Sequence, residues 1–103
     1  MTYTRRDVER RDRTNVEWFS GLMLLKLAEN EDKPGWQDAE LETLVDNIRD
    51  EIGELAEAMR ELYANPTDLN ATQALLELAD VGNTLMMVAS WIAVHHQNQD
   101  RLR

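Results

Sequence analysis

Residues 75–92, "LLELADVGNTLMMVASWI", set the strictest limit on how this chain can fold. At about 100° per residue, Leu75, Leu78, Val81, Leu85, Met86, Met87, Val88, Ala89, Trp91 and Ile92 cover most of a helix circumference. A helix that is apolar nearly all round needs cover nearly all round. Two companion helices in a chain of 103 residues cannot supply it. The pattern therefore predicts a homo-oligomer, dimer or tetramer, with this helix at the centre of a multi-chain bundle. The uninterrupted apolar part, Leu85 to Val94, is too short to span a bilayer. A soluble protein with no membrane partner is expected.

The rest of the chain is helical in the same sense. Period-two alternation is absent and the four glycines are scattered, so no strand is expected. The first helix has two candidate starts, both capping boxes: Thr4 with Asp7, and Thr14 with Glu17. The second precedes the apolar run and predicts a helix from about Asn15 to Glu31. The first would extend it back through "RRDVERRDR", where Asp7–Arg11 and Glu9–Arg13 have favourable i,i+4 spacing. Pro34 and Gly35 in "DKPGW" break the helix. A second helix is predicted from Asp38 to about Tyr63. Its apolar positions Leu41, Leu44, Val45, Ile48, Ile52, Leu55, Met59, Leu62 and Tyr63 fall in a stripe about 100° wide. After "ANPTD", a third helix is predicted from about Asn70 to His96. The expected architecture is one all-α domain over residues 1–103, with an arginine-rich arm at 1–13.

Charge and composition exclude several functions. A formal charge of −9 opposes binding to a nucleic-acid backbone. It leaves room for a small anionic ligand if a cation accompanies it. The absence of cysteine removes disulfides and thiolate metal sites, and fits a reducing cytoplasm. No secretory signal is expected to open the chain, because "MTYTRRDVERRDR" has no apolar h-region.

The acids are patterned. Glu51 and Glu54 are spaced i,i+3 on the second helix, and Glu77 and Asp80 are spaced i,i+3 on the third. Each pair flanks an apolar stripe, so antiparallel packing would bring four carboxylates together at the edge of a core. Two unit charges 6 Å apart at an effective dielectric near 20 repel by roughly 3 kcal/mol. Hard divalent cations with oxygen ligands, Mg²⁺ or Mn²⁺, relieve that repulsion. A Glu-x-x-Glu on a helix is more commonly just a solvated face, but two such pairs beside apolar stripes are less ordinary. Gly53 and Gly82 adjoin the pairs and suggest clearance for a ligand. A di-iron bundle would need Glu-x-x-His on two helices. His95 and His96 follow Ile92 and Ala93 at that spacing, so the pattern fails.

"DEIGELAEAM" followed by "ELADVGN" resembles the Glu-Glu-x-x-Glu … Glu-x-x-Asp motif of the all-α nucleoside triphosphate pyrophosphohydrolases, the MazG-like superfamily. The resemblance spans residues 18–94. Glu51, Glu54, Glu77 and Asp80 match the metal-binding acids of that motif. Asp50 stands where a glutamate is usual and keeps an acid of shorter reach. "KLAENEDKPGW" (26–36) resembles a segment of phage MazG-like proteins described as dATP/dGTP pyrophosphohydrolases. That branch includes the MazZ-type enzymes, which hydrolyse dGTP and supply dGMP to 2-aminoadenine nucleotide synthesis.

The resemblance implies a helical bundle of this type, completed by oligomerisation. It also implies metal-dependent hydrolysis of a purine deoxynucleoside triphosphate, dGTP or dATP, to the monophosphate and pyrophosphate in a host cytoplasm. Glu51, Glu54, Glu77 and Asp80 would hold two or more Mg²⁺ or Mn²⁺ ions, with Asp50 as an outer ligand. Glu54 would accept the proton of the attacking water. Lys26 and Asn30 continue the inward face of the first helix, where a lysine needs an anionic partner. Lys26 and Lys33 would then neutralise phosphates, and Asn30 and Asn83 would contact base, sugar or phosphate. Trp36 either anchors its loop or stacks on a base. Two other functions fit the same residues: a pyrophosphatase clearing another or modified nucleotide, and a non-catalytic acidic helical oligomerisation module.

Overall fold

A computed structural model describes residues 2–29 and 39–96, and these form three helices: α1 (Arg5–Ala28), α2 (Leu41–Ala64) and α3 (Asp68–His96). No strand occurs among the described residues.

The first helix begins at Arg5, not near Asn15. Thr4 is its N-cap, and the capping box closes in both directions. The Asp7 amide donates to Thr4 Oγ1 at 3.1 Å and the Thr4 amide to Asp7 Oδ2 at 3.1 Å. These bonds hold the Asp7 carboxyl below its ordinary range, the Thr4 backbone donor contributing most. Thr14 lies inside the helix instead, its hydroxyl donating to the Arg10 carbonyl at 2.9 Å. The start at Thr14 fails because an equal cap stands upstream and nothing between them breaks the helix. The arm is laced by Arg5–Glu9 at 3.0 Å, itself an i,i+4 pair, and by Arg11–Asp12 at 3.1 Å, in place of the expected Asp7–Arg11 and Glu9–Arg13.

The second helix opens at Leu41 and ends at Ala64, one residue beyond the expected Tyr63; the predicted cap Asp38 lies outside the described residues, as does the predicted end of α1 at Glu31. The third starts at Asp68, inside the expected break at 64–68 and two residues before the predicted Asn70. Thr67 Oγ1 accepts from the Asn70 amide at 3.1 Å, and the Asn70 side chain donates to the Asn65 carbonyl at 2.9 Å, which closes the turn from α2.

Helix α3 packs against both α1 and α2. Gly82 sets the approach to α1: a Cβ there would stand 3.2 Å from Phe19 Cε2 and 3.3 Å from Met23 Sδ. Beside it, Asn83 is only 5% exposed and donates to the Met23 carbonyl at 3.0 Å. Trp91 Nε1 donates to the Ala39 carbonyl at 3.0 Å and ties α3 to the entry of α2. The indole also stacks on His95 at 4.2 Å between centroids.

The core made in this way is small. Leu44, Ala74, Ala79 and Val94 are its buried apolar residues. The stripe of α2 divides in two: Leu44, Ile48, Leu55 and Leu62 are buried or half-buried, whereas Leu41, Val45, Ile52, Met59 and Tyr63 are exposed. On α3, Leu78, Leu85 and Ile92 are exposed at heptad spacing. The radius of gyration is 16.5 Å, against about 13 Å for a compact chain of this length. Among the described residues, the apolar surface of α3 is incompletely covered. By length and composition alone α3 is long and apolar enough to cross a bilayer; the core helix of a soluble protein meets the same criterion.

Candidate metal centre

The acids meet where α2 and α3 pack. Glu51 lies at the edge of the α2 face turned towards α3, and the i,i+3 spacing of Glu77 and Asp80 aims both at it. One carboxylate oxygen from each of Glu51, Glu77 and Asp80 lies within 4.8 Å of the others. Three of the four predicted ligands therefore converge.

Glu54 is more exposed and stands beside this group; its charge raises the Glu51, Glu77 and Asp80 pKa values. Asp50 is exposed, one residue and about 100° round α2 from Glu51. It falls outside the converging group.

Burial and like charge act together here. Loss of water around Glu51 pushes its carboxyl up to about 6, with Glu54, Asp80 and Glu77 adding repulsion in that order. Burial also raises Glu77, against a hydrogen bond that Gln73 Nε2 donates to its Oε1 at 3.0 Å. Asp80 is raised by burial and partly held back by Lys26. Glu51 Oε2 and Glu77 Oε2 are buried without a hydrogen-bond partner among the described residues. A carboxylate oxygen removed from water and left without a donor is costly.

Those two oxygens decide whether a cation suits the site. Octahedral Mg²⁺ places oxygens at about 2.1 Å and hence neighbouring oxygens about 3–4 Å apart. The observed spread is close enough for small rotamer adjustments to reach it. The donor set fits a hard divalent cation.

Lys26 is where its inward position on α1 predicts. Its ammonium lies 3.0 Å from Glu29 and 3.6 Å from Asp80, so α1 contributes a positive charge to the rim of the cluster. Its pKa is raised, first by the Glu29 hydrogen bond, while burial opposes the shift. Asn30, Lys33 and Trp36 lie outside the described residues. Asn83 is not a free recognition group. Its amide NH₂ is spent on the α1 backbone, and its buried Oδ1 has no partner.

The two glycines sit in different surroundings. Gly82 admits Phe19 and Met23 of α1, and so serves helix packing rather than ligand access. A Cβ at Gly53 would meet nothing within 4 Å, so no described residue needs clearance there. Glu29 and Gln73 escaped the sequence reading. Their i,i+3 spacing to Lys26 and i,i+4 spacing to Glu77 were the available signals, but such pairs are common on any helix surface.

No family model, curated protein or solved structure matches this chain.

Proposed function

We propose that the chain is a metal-dependent nucleoside triphosphate pyrophosphohydrolase of MazG-like type, cutting between the α and β phosphorus. The observation that carries this reading is the meeting of Glu51, Glu77 and Asp80 with two buried, unpartnered oxygens among them. Glu51, Glu77 and Asp80 would hold Mg²⁺ or Mn²⁺, with Glu54 completing the shell from its exposed edge. Bound there, the ions would clamp phosphate oxygens and lower the pKa of a coordinated water. Glu54, the most solvated of the four, is the acceptor for the proton of the attacking water. Lys26 offers its charge to the departing pyrophosphate from the α1 side. The substrate on this reading is a purine deoxynucleotide, dGTP or dATP, and the setting a host cytoplasm in which the monophosphate feeds 2-aminoadenine nucleotide synthesis.

Self-association belongs to the same proposal. The exposed rows Val45–Ile52–Met59 on α2 and Leu78–Leu85–Ile92 on α3 suit a second copy, giving a dimer or tetramer. Those rows equally favour a second reading, a non-catalytic acidic oligomerisation module.

A panel of the eight common ribo- and deoxynucleoside triphosphates with Mg²⁺ or Mn²⁺ separates the two. Release of monophosphate and pyrophosphate supports the enzyme. Inorganic phosphate as the direct product, or no turnover of any nucleotide, overturns it. Preference for a pyrimidine overturns only the purine assignment.

A further inference from the structure

The first half of α1 stands apart from the rest of the molecule. From Arg5 to Trp18 every residue is exposed except half-buried Val8. A polar helical segment of that length is marginal in water without something to lie against. Its charge is also opposite to that of its surroundings. Residues 5–13 carry five arginines against three acids, a net +2, so the remaining residues carry −11 of the total −9.

Two of those arginines are used locally, Arg5 with Glu9 and Arg11 with Asp12. Arg6, Arg10 and Arg13 have no acidic partner among the described residues. At i, i+4 and i+7 they share one face. A surface of opposite sign runs along α2, where Glu42, Asp46, Asp50, Glu57 and Glu61 are all exposed within an arc of about 100°. Among the described residues, only Asp46 of these has an ion pair, to Arg49 at 3.4 Å; Arg49 and Arg60 border the strip on one edge. The strip faces away from α3. Because α1 is one continuous helix packed on α3 and its arm is exposed, the arm does not lie on the α2 strip of its own chain.

We propose that the Arg6–Arg10–Arg13 face of one copy docks on the acidic α2 strip of a second copy. The four-residue step from Arg6 to Arg10 equals that from Glu57 to Glu61, so the two rows can come into register along adjacent helices. The inference rests on the self-association proposed above and is independent of catalysis.

Sedimentation equilibrium on the full chain tests it. Arg6→Glu with Arg10→Glu weakens self-association at least about tenfold at low salt, and Glu57→Arg with Glu61→Arg does the same. Combining all four substitutions returns the dissociation constant to within about threefold of the wild type. All sites are exposed, and unchanged far-UV circular dichroism checks that the variants fold. Wild-type affinity in the arm variant, or no recovery in the combined one, overturns the docking and leaves self-association standing. The same holds if the arm variant loses only binding to duplex DNA. A wild-type chain that stays monomeric overturns both.

Discussion

Two sets of acids in this chain face opposite fates. On α1, Asp7 sits in water and accepts hydrogen bonds from Thr4, and its carboxyl is held below its ordinary range. At the α2–α3 seam, Glu51, Glu77 and Asp80 are drawn out of water beside one another and all three are raised. The side chains are chemically alike. What differs is whether a donor or another anion stands opposite. The cap acid stabilises its helix, whereas the seam acids destabilise the fold unless a cation joins them.

The sharpest way to break this contrast is to remove a seam acid and read both activity and stability. Glu51→Gln or Asp80→Asn should lower metal-dependent turnover by at least about 100-fold, beyond the usual loss for an outer-shell group. The same variants without metal should melt no lower than the wild type at pH 7.5, measured by calorimetry. Lost turnover together with a large fall in melting temperature would show that the seam acids support the fold rather than strain it.

The pH dependence follows from the direction of the shifts. Glu51 titrates near 6 when folded, above its ordinary 4.5. Its stabilising contribution is therefore present below pH 4.5 and lost as pH rises through 6. After allowance for partial solvent screening this amounts to about 1 kcal/mol. Metal-free protein should lose stability over that window in urea titrations, and millimolar Mn²⁺ should restore it. Asp7 runs the other way: its contribution is present above its ordinary pKa of 3.8 and lost on acidification.

The glycines offer a comparison of similar size. Gly53→Ala meets nothing and should raise stability by about 1 kcal/mol through helix propensity. Gly82→Ala must displace Phe19 or Met23 and should forfeit that gain, melting a few degrees below the Gly53 variant. Equal melting temperatures would mean that Phe19 and Met23 yield to a Cβ at position 82 without cost.

The smallest effect belongs to the arm. Thr4→Ala should cost about 1 kcal/mol locally and speed amide exchange over the first turns of α1. Thr14→Ala should leave those amides nearly unchanged. Protection lost equally in both variants would restore Thr14 as a competing start.

Much of this was legible in the chain itself. The three helices, the turn at residues 65–67 and the length of α3 follow from apolar spacing and turn residues, which act locally. So do the i,i+3 pairings of Glu51 with Glu54 and Glu77 with Asp80, because a helix fixes those neighbours whatever surrounds it. Lys26 was legible too, as a charge on an inward face. The start of α1 was not, since two capping boxes of equal quality stood in the same segment.

Other points were decided only when the helices packed. Periodicity gives α2 one apolar stripe, but the crossing with α3 buries Leu44 and leaves Val45 and Ile52 outside. Spacing offers four acids, and the approach of α3 gathers three while Glu54 stays at the edge. Gly82 and Asn83 sit next to Asp80 in sequence, yet both are claimed by α1. The sequence by itself determined which faces each helix has. Only the tertiary structure decided which face meets which, because that depends on contacts between residues far apart in the chain, whose relative placement no local spacing encodes.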